Sequence, residues 1–131
     1  MAAQRTRAEL LAENLANAET TRTPEGGPYR RKDVVFASAE IGSPFASAFH
    51  AELENAGGVA VGDVITDARD PERRFVPGHP DADAQGYVAF PRINPAEDMV
   101  DLMGAARGYE ANVAAISAAK DMIERSLDLL R

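Results

Sequence analysis

The sequence of 131 residues contains no cysteine and no tryptophan, and only 6% of its residues are aromatic. The absence of cysteine excludes disulfides, thiolate metal sites and cysteine nucleophiles. With so few large aromatic side chains, we expect a small hydrophobic core. No apolar run reaches the roughly 18 residues of a membrane span, and the N-terminus lacks a secretory signal pattern. On these grounds alone the cytoplasm is the default location.

Charge is unevenly distributed along the chain, whose formal net charge is −7. Residues 1–32 hold six Lys and Arg against four Asp and Glu, whereas residues 33–131 hold eight against seventeen. A chain that is acidic over most of its length, without a basic face, is a poor candidate for binding nucleic acid. The length corresponds to a single domain.

The clearest pattern is a long C-terminal helix, predicted from Pro95 to Arg131. Asn94 is a suitable N-cap residue, Pro95 suits the first helical position, and Glu97 follows three residues after the cap. Apolar or small residues recur at alternating spacings of three and four, a coiled-coil pattern that only Lys120 interrupts. We call this set the C-terminal stripe: Met99, Leu102, Ala106, Tyr109, Val113, Ile116, Ile123, Leu127 and Leu130.

The predicted length of this helix implies assembly. At about 1.5 Å per residue it would extend about 55 Å, whereas a compact domain of this size is about 30 Å across. The stripe therefore needs cover from outside the chain. Gly104 and Gly108 each cost about 1 kcal/mol in a helix. They indicate either close approach of another backbone beside Tyr109 or two tolerated glycines.

The rest of the chain predicts a short helix and a small β-rich region. Apolar spacing favours a helix over residues 4–19, and the Pro- and Gly-rich residues 20–32 predict a loop. Strands are expected at 33–41, 59–65, 73–76 and 86–90, with no assignment for 42–57. The expected fold class is α+β, with N- and C-terminal helices pairing as a coiled-coil-like unit. The expected domains are 1–20 plus 94–131, and 21–93.

No pattern of an enzyme site is present, so we predict neither catalysis nor a cofactor. Residues 81–86 (DADAQG) resemble the first half of a calcium loop, but the twelfth position is Arg92 instead of glutamate and a strand follows. We therefore interpret Asp81 and Asp83, together with His79, as shaping a turn without binding metal. The basic run Arg30-Arg31-Lys32 is expected to be a solvated surface run.

Three segments resemble the bacterial flagellar rod and hook protein family. Residues 12–18 (AENLANA) are similar to the Asn-Leu-Ala-Asn segment that the family shares, and residues 29–36 (YRRKDVVF) follow a Thr/Pro/Gly loop. The third and most specific segment begins at 77–83 (PGHPDAD) and continues through 86–88 (GYV) to 107–113 (RGYEANV). It includes Asn94, Glu97, Met99 and Val100 and is most similar to the proximal rod proteins within the family.

The resemblance implies a structural subunit of the proximal rod of the flagellar basal body, which transmits motor torque through helical packing of its terminal helices. It implies export by the flagellar type III apparatus without a cleaved signal, and assembly in the periplasm with other copies and other rod proteins. Family members carry a further N-terminal stretch, so we expect an incomplete N-terminal helix here. The expected subunit-packing residues are Leu11, Asn14, Leu15, Asn17, Met99, Leu102, Tyr109, Asn112, Val113, Ile116, Ile123, Leu127 and Leu130.

Two alternatives stay open at this point. A self-associating coiled-coil module without a flagellar role would form discrete dimers or trimers. A small metal- or ligand-binding protein would use residues 77–92, and its thermal stability would change when calcium or zinc is added.

Overall fold

The computed structural model describes residues 1–39 and 58–129. Its elements are α1 (Ala2–Ala16), β1 (Lys32–Ala39), β2 (Gly58–Thr66), β3 (Glu72–Phe75), β4 (Tyr87–Phe90) and α2 (Pro95–Asp128). This order, with helices at both ends and small sheets between them, confirms the predicted α+β fold class. Residues 42–57 and Leu130 lie outside the described residues. The division into two domains stays a prediction.

The start of α2 is set by local chemistry, as the sequence predicted. The Asn94 side chain accepts a hydrogen bond from the Ala96 backbone N–H at 3.2 Å, and Pro95 follows at the first helical position. This cap satisfies a backbone donor that has no partner within the helix. The 34 residues of α2 extend over about 51 Å at 1.5 Å per residue.

The two helices pack antiparallel, and α1 covers less than half of α2. Gln4 lies against Gly108, while Arg7 pairs with Asp101 at 3.7 Å, so the contacts run in opposite directions along the two helices. Small residues allow this approach: Ala3 is 6% exposed and Ala105 only 1%. The 15 residues of α1 span about 22 Å. Every residue of α2 from 111 onward is exposed.

Two antiparallel hairpins fill the middle of the chain. β1 and β2 pair from Lys32↔Thr66 to Ala39↔Gly58, with a register shift between Val35 and Phe36. β3 and β4 pair from Glu72↔Phe90 to Phe75↔Tyr87, and Pro91 directly follows β4, as expected for a residue that ends a strand. Within the described residues, the strand bounds differ from the predicted bounds by only a residue or so.

The core is small, which confirms the expectation from the scarcity of aromatic residues. The buried apolar side chains come from α1, the loop after it, β4, the segment before α2 and α2 itself: Ala3, Leu11, Tyr29, Val88, Ile93 and Ala105. Two polar side chains, Asn14 and Asp98, are also buried. An isolated two-stranded hairpin is at best marginally stable in water, so the β1–β2 hairpin depends on its contact with α1.

Candidate subunit interface and its internal support

The second half of α2 presents an uncovered apolar surface. We call residues 111–129 the uncovered half, because each of these residues is exposed. Within it the stripe residues Val113 and Ile116 are 44% and 47% exposed, and Ile123 and Leu127 are 61% and 59% exposed. Single exposed apolar residues are ordinary, but an aligned series on one helix marks an interaction surface.

Of the remaining C-terminal candidates, Met99, Leu102 and Tyr109 precede the uncovered half and Asn112 lies at its start. Met99, Tyr109 and Asn112 are exposed, whereas Leu102 is half-buried. Leu130 lies outside the described residues. The stripe therefore runs from the edge of the α1 contact onto the uncovered half. Its role in subunit packing stays a prediction.

The N-terminal candidates are placed differently, because two of them are already buried within the chain. Leu11 is 5% exposed and Asn14 is fully buried, while Leu15 and Asn17 are half-buried. Leu11 and Asn14 thus support the fold of the single chain. Contact of these four residues with neighbouring subunits stays a prediction.

Asn14 joins α1 to the start of β1. Its amide group donates to the Lys32 carbonyl oxygen at 2.8 Å and accepts from the Lys32 backbone N–H at 3.0 Å. The side-chain amide thus pairs with one residue as a neighbouring strand would. Its oxygen also accepts from the Tyr29 hydroxyl at 3.0 Å. Only a planar amide offers both a donor and an acceptor for this arrangement.

Tyr29 is held in a site that favours its neutral form. Burial, followed in importance by the negative charge of Glu13, raises the pKa of the Tyr29 phenol to about 12. The neutral hydroxyl is the form that can donate to Asn14. Tyr29 therefore keeps its hydrogen bond throughout the physiological pH range.

Arg31 links the loop before β1 to the first turns of α2. Its guanidinium lies 2.9 Å from the Asp98 carboxylate and its Nε lies 3.2 Å from both oxygens of Asp33. The Arg31 side chain is 17% exposed and the Asp98 side chain 0% exposed. Lys32 likewise pairs with Glu13 at 2.6 Å. The expectation of a solvated basic run was wrong at Arg31, which is largely buried against Asp98, whereas the Lys32 side chain has a carboxylate partner but is still 37% exposed.

Asp98 is a buried carboxylate that depends on this one cation. Neither of its oxygens accepts a hydrogen bond from the described part of the chain. Burial raises the pKa of the Asp98 carboxyl, and the positive charge of Arg31 opposes that rise. A buried charge with a single partner is costly to leave alone. Asp98 is therefore sensitive to the loss of Arg31.

The acidic segment 81–86 forms a turn, as predicted. Asp83 Oδ1 accepts from the backbone N–H groups of Gln85 and Tyr87 at 2.9 and 2.8 Å. Asp81 is engaged with the first loop through the Thr21 hydroxyl at 2.8 Å and Arg22 at 2.9 Å. These carboxylates therefore hold the turn and join it to the loop after α1. Among residues 1–39 and 58–129, no group of three His, Asp or Glu residues could hold a metal ion.

The two glycines of α2 have different surroundings. A Cβ at Gly108 would lie 3.5 Å from the Gln4 side chain, which is ordinary contact, whereas a Cβ at Gly104 would meet nothing within 4 Å. Neither glycine is required for the contact between α1 and α2. No helix in the described parts of the chain is long and apolar enough to span a membrane.

Comparison with known proteins identifies the family. Residues 84–129 match the family described as flagellar basal body rod FlgEFG protein C-terminal. The chain is 36% identical to the flagellar basal-body rod protein FlgC of Borreliella burgdorferi, over 100% of this chain and 91% of that protein. The chain belongs to the FlgC family. The FlgC of Bacillus subtilis is 39% identical over 98% of this chain and 90% of its own length. The FlgC of Salmonella typhimurium is 38% identical over 98% of this chain and 89% of its own length.

Membership of the FlgC family makes this chain a structural, non-enzymatic subunit of the flagellar basal-body rod. It agrees with the resemblance found from residues 12–18, 29–36 and 77–113. The sequence did not reveal the roles of Arg31 and Asp98. A signal for Asp98 was present, because it lies four and seven residues before Leu102 and Ala105, on the side of the helix that becomes buried.

Proposed function

We propose that this chain transmits torque in the flagellar rod by packing the uncovered half of α2 against helices of neighbouring rod subunits. The observation that supports this proposal is the exposed apolar stripe beyond the reach of α1. Spacing of three and four residues suits insertion of each side chain between residues of a facing helix. A rod that transmits torque needs such an interface, because close-packed contacts have low compressibility and transmit strain.

The energy available from the stripe of one chain is modest. Complete burial of one Ile, Leu or Val side chain contributes about 1.5–3 kcal/mol. The four stripe residues of the uncovered half are between 44% and 61% exposed, so their burial contributes a few kcal/mol in total. Association and side-chain ordering consume much of such a gain. We therefore expect weak self-association in solution and stable packing only where several subunits contact one another.

Other parts of the proposal rest on the family resemblance. We propose that the chain leaves the cytoplasm through the flagellar type III export apparatus without a cleaved signal. It then assembles in the periplasm with other copies and with other rod proteins. The expected packing residues of α1, Leu15 and Asn17 in particular, retain exposed surface for these contacts.

Replacement of Ile116 with aspartate tests the packing role. In the single chain Ile116 is 47% exposed, so the variant should fold normally. In the rod the carboxylate would be buried without a partner, which is strongly unfavourable. Cells that lack the wild-type protein and express Ile116→Asp should therefore fail to swim.

Ala118→Asp is the matched control, because residue 118 is also exposed but lies about 200° around the helix from Ile116. It introduces the same charge away from the stripe and should impair swimming less. Normal rods and normal swimming in cells with Ile116→Asp would contradict the proposed function.

A further inference from the structure

The β1–β2 hairpin and α2 are both attached to α1 but not to each other. Both strands of the hairpin contact α1, and α1 contacts α2. Among the described residues, no Cα atom of α2 lies within 8 Å of a Cα atom of β1 or β2. A cleft of about 260 Å³ lies between α1, β1 and the α2 residue Asp101. Backbone packing alone therefore leaves the angle between hairpin and α2 to be set through α1.

The Arg31–Asp98 ion pair is a second connection between the hairpin and α2, in addition to the one through α1. Arg31 directly precedes β1, and Asp98 belongs to the first turn of α2. Within residues 1–39 and 58–129, this is the only ion pair between α2 and the loop or hairpin that follows α1. The Arg31 guanidinium also contacts the Asp33 carboxylate of β1. The pair thus connects the base of the hairpin directly to α2.

We propose that Arg31 and Asp98 are positioning residues that fix the orientation of the β1–β2 hairpin relative to α2. The Arg31 guanidinium lies 2.9 Å from a carboxylate that is 0% exposed, and separating such a buried charge from its single partner is costly, so the pair resists movement of the hairpin base away from α2. The orientation matters if α2 packs against neighbouring subunits, because the hairpin must then point in one direction from the rod. That last step rests on the proposed function, but the orientation itself does not.

Double electron–electron resonance between two spin labels tests this proposal in the full chain. The absence of native cysteine allows clean labelling of Ser38→Cys on β1 and Ser117→Cys on α2, both at exposed positions. The wild-type background should give one narrow distance peak. The Arg31→Met/Asp98→Leu variant replaces the ion pair with apolar groups, so that no buried charge is left unpaired. It should remain helical by circular dichroism but lose the single narrow peak.

Three comparisons separate orientation from stability. Arg5→Met removes the exposed Arg5–Glu9 pair and should leave the peak unchanged. Labels at Glu110→Cys and Ser126→Cys, both on α2, should report the same distance in every variant. Arg31→Lys keeps the positive charge but lacks the planar guanidinium group. Its distance peak between the Ser38→Cys and Ser117→Cys labels should be broader than in the wild-type background and narrower than in Arg31→Met/Asp98→Leu.

An unchanged narrow peak in Arg31→Met/Asp98→Leu would overturn the proposal. Unfolding of that variant would also overturn it, because the pair would then be required for the fold and not for orientation. Failure of the proposed function is a separate result: normal swimming with Ile116→Asp would remove the packing role and leave the distance measurement valid.

Discussion

Replacing Asn14 with alanine should destabilise the chain more than any other substitution of a single polar group on α1. Asn14 is fully buried and makes three hydrogen bonds, two to the backbone of Lys32 and one to the Tyr29 hydroxyl. Each such bond contributes about 0.5–1.5 kcal/mol net, and a donor or acceptor left buried without a partner costs more. Because Lys32 is half-buried, water can replace part of the lost hydrogen bonding to its backbone. We therefore expect the free energy of unfolding to fall by about 3 kcal/mol in total.

Urea unfolding followed by far-ultraviolet circular dichroism measures this loss. With an m value of about 1.5 kcal/mol per molar urea, the midpoint should fall by about 2 M. Asn17→Ala is the matched control, because Asn17 is half-buried and its amide bonds to the Glu13 carbonyl of its own helix at 2.9 Å. It should cost about 1 kcal/mol or less.

Two further variants identify the source of the effect. Asn14→Asp retains the acceptors but cannot donate to the Lys32 carbonyl oxygen, so it should also destabilise the chain. In a double-mutant cycle, Asn14→Ala and Tyr29→Phe should show a coupling energy of about 1 kcal/mol. The reasoning is refuted if Asn14→Ala costs no more than Asn17→Ala.

Three further predictions concern protonation and metal binding. Because the pKa of Asp98 is raised above its ordinary value of 3.8, its contribution to stability is greatest below that pH and is lost as pH rises through the folded-state pKa. The difference in unfolding free energy between wild type and Asp98→Asn, measured by urea unfolding at several pH values, should change over that range; no change would contradict the raised pKa. In an ultraviolet absorbance titration of the three tyrosines, one phenol should ionise near pH 12, and this ionisation step should be absent in Tyr29→Phe. The stability that the raised pKa of Tyr29 contributes should be lost as the pH rises from about 10 to 12. Calorimetry should show no calcium site tighter than about 10⁻⁴ M, because Asp81 and Asp83 are engaged by Thr21, Arg22 and backbone N–H groups; heat from a tighter site would refute the assignment of these carboxylates to a turn.

Much of the fold follows from local sequence signals. The cap at Asn94, the stripe along α2 and the β-branched strands all act through near neighbours, so the sequence predicts them closely. The turn at 81–86 is equally local, because Asp83 bonds backbone groups only two and four residues away. These signals do not depend on how distant elements come together.

The internal support of the candidate interface could not be predicted in the same way. Arg31 and Asp98 are 67 positions apart in the sequence. Each also has an ordinary local interpretation: Arg31 as part of a basic run, and Asp98 as an acidic residue in a first helical turn. Their pairing depends on α1 bringing the loop against α2. The sequence likewise predicted Asn14 as a packing residue, but only the tertiary structure shows it bound to Lys32 and Tyr29.

Solvent protection of α2 in the assembled rod tests the central claim most directly. A cysteine in place of Ile123, which is 61% exposed in the single chain, is the only thiol of the protein and should react rapidly with a maleimide in the purified subunit. In isolated basal bodies built with this variant the account predicts that the thiol is protected, and that denaturing the basal bodies restores labelling. Equal labelling of Ile123→Cys in the free subunit and in intact basal bodies would contradict the claim that neighbouring subunits cover the C-terminal stripe.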